Sequence, residues 1–161
     1  MDREQLASRI GSRYVRNAMF VGLGCAALIF LLIGEGKPEA LFDLLTDSPV
    51  QAFICVVIGP LMGHLVGMWA GKKILLQGGN ARYVTLTAGF ACVWSTTLMF
   101  SLIGFFQEGI HGSDPLVAIG DYIVMPLVAV TYVGGLFIFL MVFIVAAFFD
   151  QARRKHFSAQ P

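Results

Sequence analysis

Ten of the eleven Lys and Arg residues in this 161-residue chain lie on one side of four long apolar runs, and few folds tolerate that arrangement. The runs are roughly 15–34, 50–71, 84–106 and 116–149. Arg3, Arg9, Arg13 and Arg16 precede the first, Lys72, Lys73 and Arg82 separate the second from the third, and Arg153, Arg154 and Lys155 follow the fourth. The other connections carry Glu35, Glu39, Asp43, Asp47, Glu108 and Asp114, with Lys37 the only base. About 20 apolar residues of helix cross the ~30 Å of bilayer hydrocarbon, and every run reaches that length. Basic flanks stay cytoplasmic during insertion. The pattern predicts an all-α integral membrane protein, a bundle of four transmembrane helices with both termini cytoplasmic. The expected spans are about 15–34, 50–71, 84–106 and 125–149, after a cytoplasmic amphipathic segment at 1–14 and before a basic tail at 150–161. A plasma membrane, the inner one in a bacterium, is the expected location.

Composition agrees. Hydrophobic residues make up 57% of the chain, against about 45–50% in soluble domains, which leaves little chain for a separate soluble unit. The bases are few and explained by topology, so no nucleic-acid partner is expected. Membrane lipids are, since the same bases attract anionic headgroups. Cys25, Cys55 and Cys92 all lie within apolar runs without a CxxC pair, which argues against a disulfide framework or a zinc site and for small apolar packers. No cofactor is implied: haem would want a second axial histidine near His64, and His111 and His156 lie outside the core on opposite sides. No A-x-A site follows the first run, so it is expected to be retained rather than cleaved as a signal.

Within 1–14, Leu6, Ile10 and Tyr14 recur every four residues opposite Arg3, Arg9 and Arg13, as in a helix lying on the membrane surface. Pro38 with Leu41, Phe42, Leu44 and Leu45 predicts a short outer surface helix. Gly78-Gly79-Asn80 reads as helix stop followed by N-cap. The chain also shows signs of duplication. Arg13-Tyr14-Val15 is echoed by Arg82-Tyr83-Val84, and Pro49, Ala52 and Pro60-Leu61 are matched 66 residues on (115 − 49; 126 − 60) by Pro115, Ala118 and Pro126-Leu127. Two tandem two-helix hairpins would then sit in parallel orientation. The fourth run, about 51 Å long as a helix, exceeds bilayer and headgroups together, about 40–45 Å. Counting back from Phe149 leaves Asp121 and Tyr122 in the outer interface, whereas the repeat puts Pro126 at mid-membrane with Pro60. Tilt or a kink at Pro126 would reconcile the two.

Three features bear on function. Gly59, Gly63, Gly67 and Gly71 form a stripe with glycine-zipper spacing, where a neighbouring backbone can come close. Small faces that could receive it include Ala18, Gly22 and Cys25 on the first helix, Thr85, Gly89, Cys92, Thr96 and Met99 on the third, and Thr131 with Gly135 on the fourth. His64 is the only ionisable side chain deep in a run, at the expected depth of Ser95 and Thr96. It is either hydrogen-bonded packing or a functional group. Asp121 with Tyr122, His111, Glu108 and Asp114 would form a solvated outer rim. No catalytic motif occurs, so no catalytic or metal-ligating residue is assigned. The expected function is that of a non-enzymatic membrane subunit or accessory protein. It would act by helix packing, with Pro60 and His64 shaping the glycine face, in a homo-oligomer or with another membrane protein. The alternative is a small channel or transporter, its 2+2 halves enclosing a path lined by His64, Ser95, Thr96 and Asp121.

Overall fold

The computed structural model describes residues 2–33, 50, 53–109 and 114–157, and these are helix or turn throughout, with no strand among them. α1 is Arg3–Ile33. A π-helical turn, Ile54–Ile58, leads into α2, Gly59–Leu75. α3, Ala81–Gly104, ends in a second π-helical turn, Phe105–Gly109. The last run joins α4, Pro115–Ile119, through a third π-helical turn, Gly120–Val124, to α5, Met125–His156, without a break. The expected outer helix at 38–45 and His111 lie outside the described residues.

Among the described residues three helical stretches are long and apolar enough to cross a membrane: Ala81–Gln107, Pro115–Tyr132 and Gly134–His156. This fits a membrane-embedded chain. The last two are successive parts of the run 115–156, about 60 Å long if straight, so the excess length read from the sequence is real helix.

Two of the π-helical turns have a common cause. A proline inside a helix donates no hydrogen bond, and its ring crowds the carbonyl four residues earlier; widening the preceding turn relieves the crowding. Pro60 and Pro126 each sit second in an α-helix directly preceded by such a turn. The turns therefore fall 66 residues apart like the prolines (120 − 54; 124 − 58). Since proline alone produces them, their match says nothing further about duplication.

The connection between α2 and α3 has the conformation that its residues dictate. Gly78 takes φ +69°, a region open to glycine. Gly79 N–H donates to the Lys73 carbonyl at 3.0 Å. The Asn80 side chain then accepts from the backbone of Arg82 at 3.0 Å and Tyr83 at 3.3 Å, capping α3.

α1 lies antiparallel to α2, Gly71 facing Ala7 and Gly11 while Gly59 faces Met19. Residues 3–14, expected along the membrane surface, are the first turns of α1 and pack on α2. Tyr14 stacks edge-on to Phe149, with centroids 5.4 Å apart, and the Arg153 guanidinium comes alongside Gly78. The start of α1, the end of α2, the start of α3 and the end of α5 thus meet at one end of the molecule and bring the described bases with them. The core is there too: Ala7, Ile74, Ala81, Val84, Val145 and Phe149 belong to one buried cluster.

Candidate functional site

Among the described glycines the stripe of α2 makes the closest backbone approach, and its neighbour is α1. A methyl on Gly71 would collide with the Ala7 carbonyl and lie 2.8 Å from Gly11 Cα. On Gly67 it would lie 2.7 Å from the Gly11 carbonyl oxygen and 2.8 Å from Ser12 Cα. At Gly63 the obstacle is Met19 Cγ at 2.9 Å, with Arg16 Cα at 3.3 Å, and at Gly59 only ordinary contacts with Met19 and Thr96 remain. The two backbones thus converge toward the basic end. At such distances dispersion and Cα–H···O contacts act along the whole seam. Gly22 and Gly89 serve another helix: a methyl on Gly22 would meet Phe137 at 3.3 Å, and one on Gly89 would meet Ile138 at 2.7 Å, both on α5.

By sequence, small faces on the first, third and fourth helices are all candidates to receive the stripe. The first helix receives it, through Ala7, Gly11, Ser12 and Val15 rather than through Ala18, Gly22 and Cys25. The signal was present as Ala7-x-x-x-Gly11, a small-residue step of four. The more conspicuous Leu6, Ile10 and Tyr14 masked it, and two of these belong to a different contact: Ile10 and Tyr14 pack against the core beside α5.

His64 lies beside this seam. It lines a groove of about 460 Å³ shared with Asp2, Glu4, Arg9, Ser12 and Lys72. Lys72 Nζ reaches Glu4 Oε1 at 2.5 Å across the groove. Both groups are about half exposed, so the pair contributes no more than about 1 kcal/mol. Two acids, two bases and an imidazole make the groove polar without a dominant charge.

The four proposed path residues are dispersed. The Thr96 hydroxyl donates to its own helix, to the Cys92 carbonyl at 2.8 Å, and the residue lies beside Gly59. His64 is five residues farther along α2, about 7.5 Å, next to α1. Ser95 is half-buried on α3, and Asp121 is exposed in the π-helical turn before α5. Thr131 donates to the Leu127 carbonyl and accepts from Trp94 Nε1 at 3.1 Å, tying α3 to α5. Two hydroxyls on α3, Thr85 Oγ1 and Ser101 Oγ, are buried without a hydrogen-bond partner among the described residues. Among the described residues no three His, Cys, Asp or Glu side chains converge as a metal site requires.

No family model, curated protein or solved structure matches this chain.

Proposed function

We propose that this chain is a non-enzymatic, four-span membrane protein, with both termini cytoplasmic, that works as a subunit or assembly partner of a membrane complex. The glycine zipper of α2 acts inside the chain, holding α1 in place. The partner face is on α5. One observation carries this reading. Met125, Ala129, Tyr132, Leu136, Phe139 and Phe143 recur at steps of four and three, the spacing of a left-handed helix seam, and all six are exposed. Tyr132 is 79% exposed and Leu136 70%. Thr131, its neighbour, is hydrogen-bonded to Trp94, the middle residue of Ala81–Gln107, so Tyr132 lies beside the middle of that apolar stretch. Lipid tails cover leucine and phenylalanine as well as protein does, but they give a phenol hydroxyl no hydrogen bond. A helix from a second copy or from another membrane protein supplies one.

Extraction in mild detergent followed by intact mass measurement tests this. The wild type should run as an assembly larger than one chain. Tyr132→Ala with Leu136→Ala should shrink that assembly, and Leu61→Ala, equally lipid-facing on α2, should not. A single chain without companions, or a double variant of unchanged size, overturns the reading. Topology has its own test. Asp43→Cys and Ser113→Cys should react with an impermeant reagent from outside, and Gln77→Cys only after permeabilisation.

The channel or transporter reading draws support from the unpartnered Thr85 and Ser101 hydroxyls, where water could bind. They are sixteen residues apart (101 − 85), which puts them about 160° apart around α3 at 3.6 residues per turn. They do not line one path. Proton-coupled flux in liposomes that His64→Asn and His64→Leu abolish equally would nonetheless favour this reading, since only imidazole titrates near neutral pH.

A further inference from the structure

Between α1 and α5, on the side of α1 away from the His64 groove, lies a second groove of about 640 Å³. It exists because α1 leans on α2 and meets α5 over a much shorter length. Its two ends differ in chemistry. At the basic end Arg13, Lys155 and His156 form the rim, with Asn17 and Gln151 just below them. Farther along, the walls are Val21, Met141 and Ile144, and the floor is Ala18, Val145 and the ring of Tyr14 against Phe148. Among the described residues no Asp or Glu lines the groove; Asp150, next to Gln151 in sequence, is exposed and does not face it. From Arg13 to Val21 the groove follows α1 for about 12 Å, eight residues at 1.5 Å each. That is the depth from the headgroups into the upper acyl chains.

We infer that this groove binds one anionic phospholipid, its phosphate at Arg13, Lys155 and His156 and an acyl chain along Val21, Met141 and Ile144. The inference rests on reading the chain as membrane-spanning with its basic end at headgroup depth. The charge selects the ligand: two permanent cations and an imidazole that can donate a hydrogen bond, with no facing acid, complement a phosphodiester that lacks a compensating ammonium. Asn17 and Gln151 can hydrogen-bond the glycerol ester region. The apolar walls exclude a free anion as the intended ligand, because a phosphate alone would leave most of the groove unfilled.

The full chain in a non-ionic detergent, titrated with defined lipids and read by native mass spectrometry, tests this. Phosphatidylglycerol and phosphatidylcholine of identical acyl chains are compared, with soluble glycerol 3-phosphate as competitor. The wild type should retain one phosphatidylglycerol in preference to phosphatidylcholine. Arg13→Gln with Lys155→Gln should weaken phosphatidylglycerol about thirtyfold and remove the preference, while Lys73→Gln, which removes a base outside the groove, should not. Val21→Trp, which fills the apolar half without changing charge, should weaken both lipids. Equal retention of the two lipids by the wild type overturns the assignment, as does a preference that survives the double variant. Full displacement by glycerol 3-phosphate would instead make it a free-anion site and equally overturn it. The readout is the lipid retained by the chain, so a failure here is distinct from a failure of the labelling that tests topology or of the change in assembly size that tests the partner face.

Discussion

The seam between α1 and α2 and the stretch Pro115–Tyr132 are both helical, yet they treat their neighbours in opposite ways. In the seam glycines meet glycines and small residues, and the two backbones touch. In Pro115–Tyr132 only 6% of the residues are buried, against 33% in the most apolar part of Gly134–His156. Apolar character alone does not make a helix pack, since lipid tails are as apolar as leucine and provide no drive to bury it. Side-chain size does. Where small residues repeat every four positions, helices close on one another; where Met125, Tyr132 and Leu136 project, the helix is held off and its face is left for lipid or a partner. The packed region also coincides with the basic end.

The largest break in that contrast should come from Phe149, which is fully buried at the basic end against Tyr14. Phe149→Ala should cost about 3–5 kcal/mol, the usual result of emptying an aromatic site in a packed core. Denaturant unfolding in detergent measures it. Phe148→Ala, next in sequence but about half exposed, should cost less than half as much. Equal losses would mean that the basic end has no core distinct from the rest.

The glycines of the seam come next. Gly71→Ala and Gly11→Ala should each lower stability by about 1–3 kcal/mol through overpacking, because the atoms in the way are backbone. Gly63→Ala should cost less, since Met19 is flexible and can move aside. If Gly63→Ala proves the more damaging, direct backbone contact is not what holds α1 to α2.

These sites also show what could be read in advance. Each apolar run was visible because a 20-residue stretch without charge has few other uses, and the Gly78-Gly79-Asn80 connection because each residue there has a specific backbone task. The stripe was visible as a surface of close approach. Its neighbour was not, because glycine spacing shows which face of α2 is bare and nothing about which helix fills it. Ala7 and Gly11 looked like parts of a surface helix, since Arg3, Arg9 and Arg13 dominate that segment. The same gap misplaced His64. Depth along the membrane suggested Ser95 and Thr96, whereas the rotation of α2 that brings its glycines to α1 carries His64 beside Ser12. The groove of Arg13, Lys155 and His156 joins the two ends of the sequence, and no local pattern announces it.

A smaller loss is expected at the α2–α3 connection. Asn80→Ala removes the side-chain acceptor for two backbone N–H groups of α3 and should cost about 1 kcal/mol. Asn80→Asp keeps an acceptor there and should restore most of it. If alanine and aspartate behave alike, the cap contributes nothing at this end of the bundle.

The smallest effect is the most discriminating, because its sign should reverse. Gly120 is helical, with φ −57° and ψ −53°, and a methyl there would meet none of the described residues within 4 Å. Glycine inside a helix is less favourable than alanine by about 0.5–1 kcal/mol, because it loses more backbone freedom on folding. With no steric cost to oppose that gain, Gly120→Ala should stabilise the chain by about that amount. The same methyl at Gly71 destabilises it. Position 120 is not one of the six stripe residues, and a methyl adds little bulk, so the size of the assembly should be unchanged. Unfolding of Gly71→Ala and Gly120→Ala side by side then compares one chemical change in two surroundings. A loss at Gly120 would mean that something covers that position, and mass measurement of that variant would show whether the cover is a partner: a smaller assembly would extend the partner face beyond the stripe, and an unchanged one would put the contact within the chain.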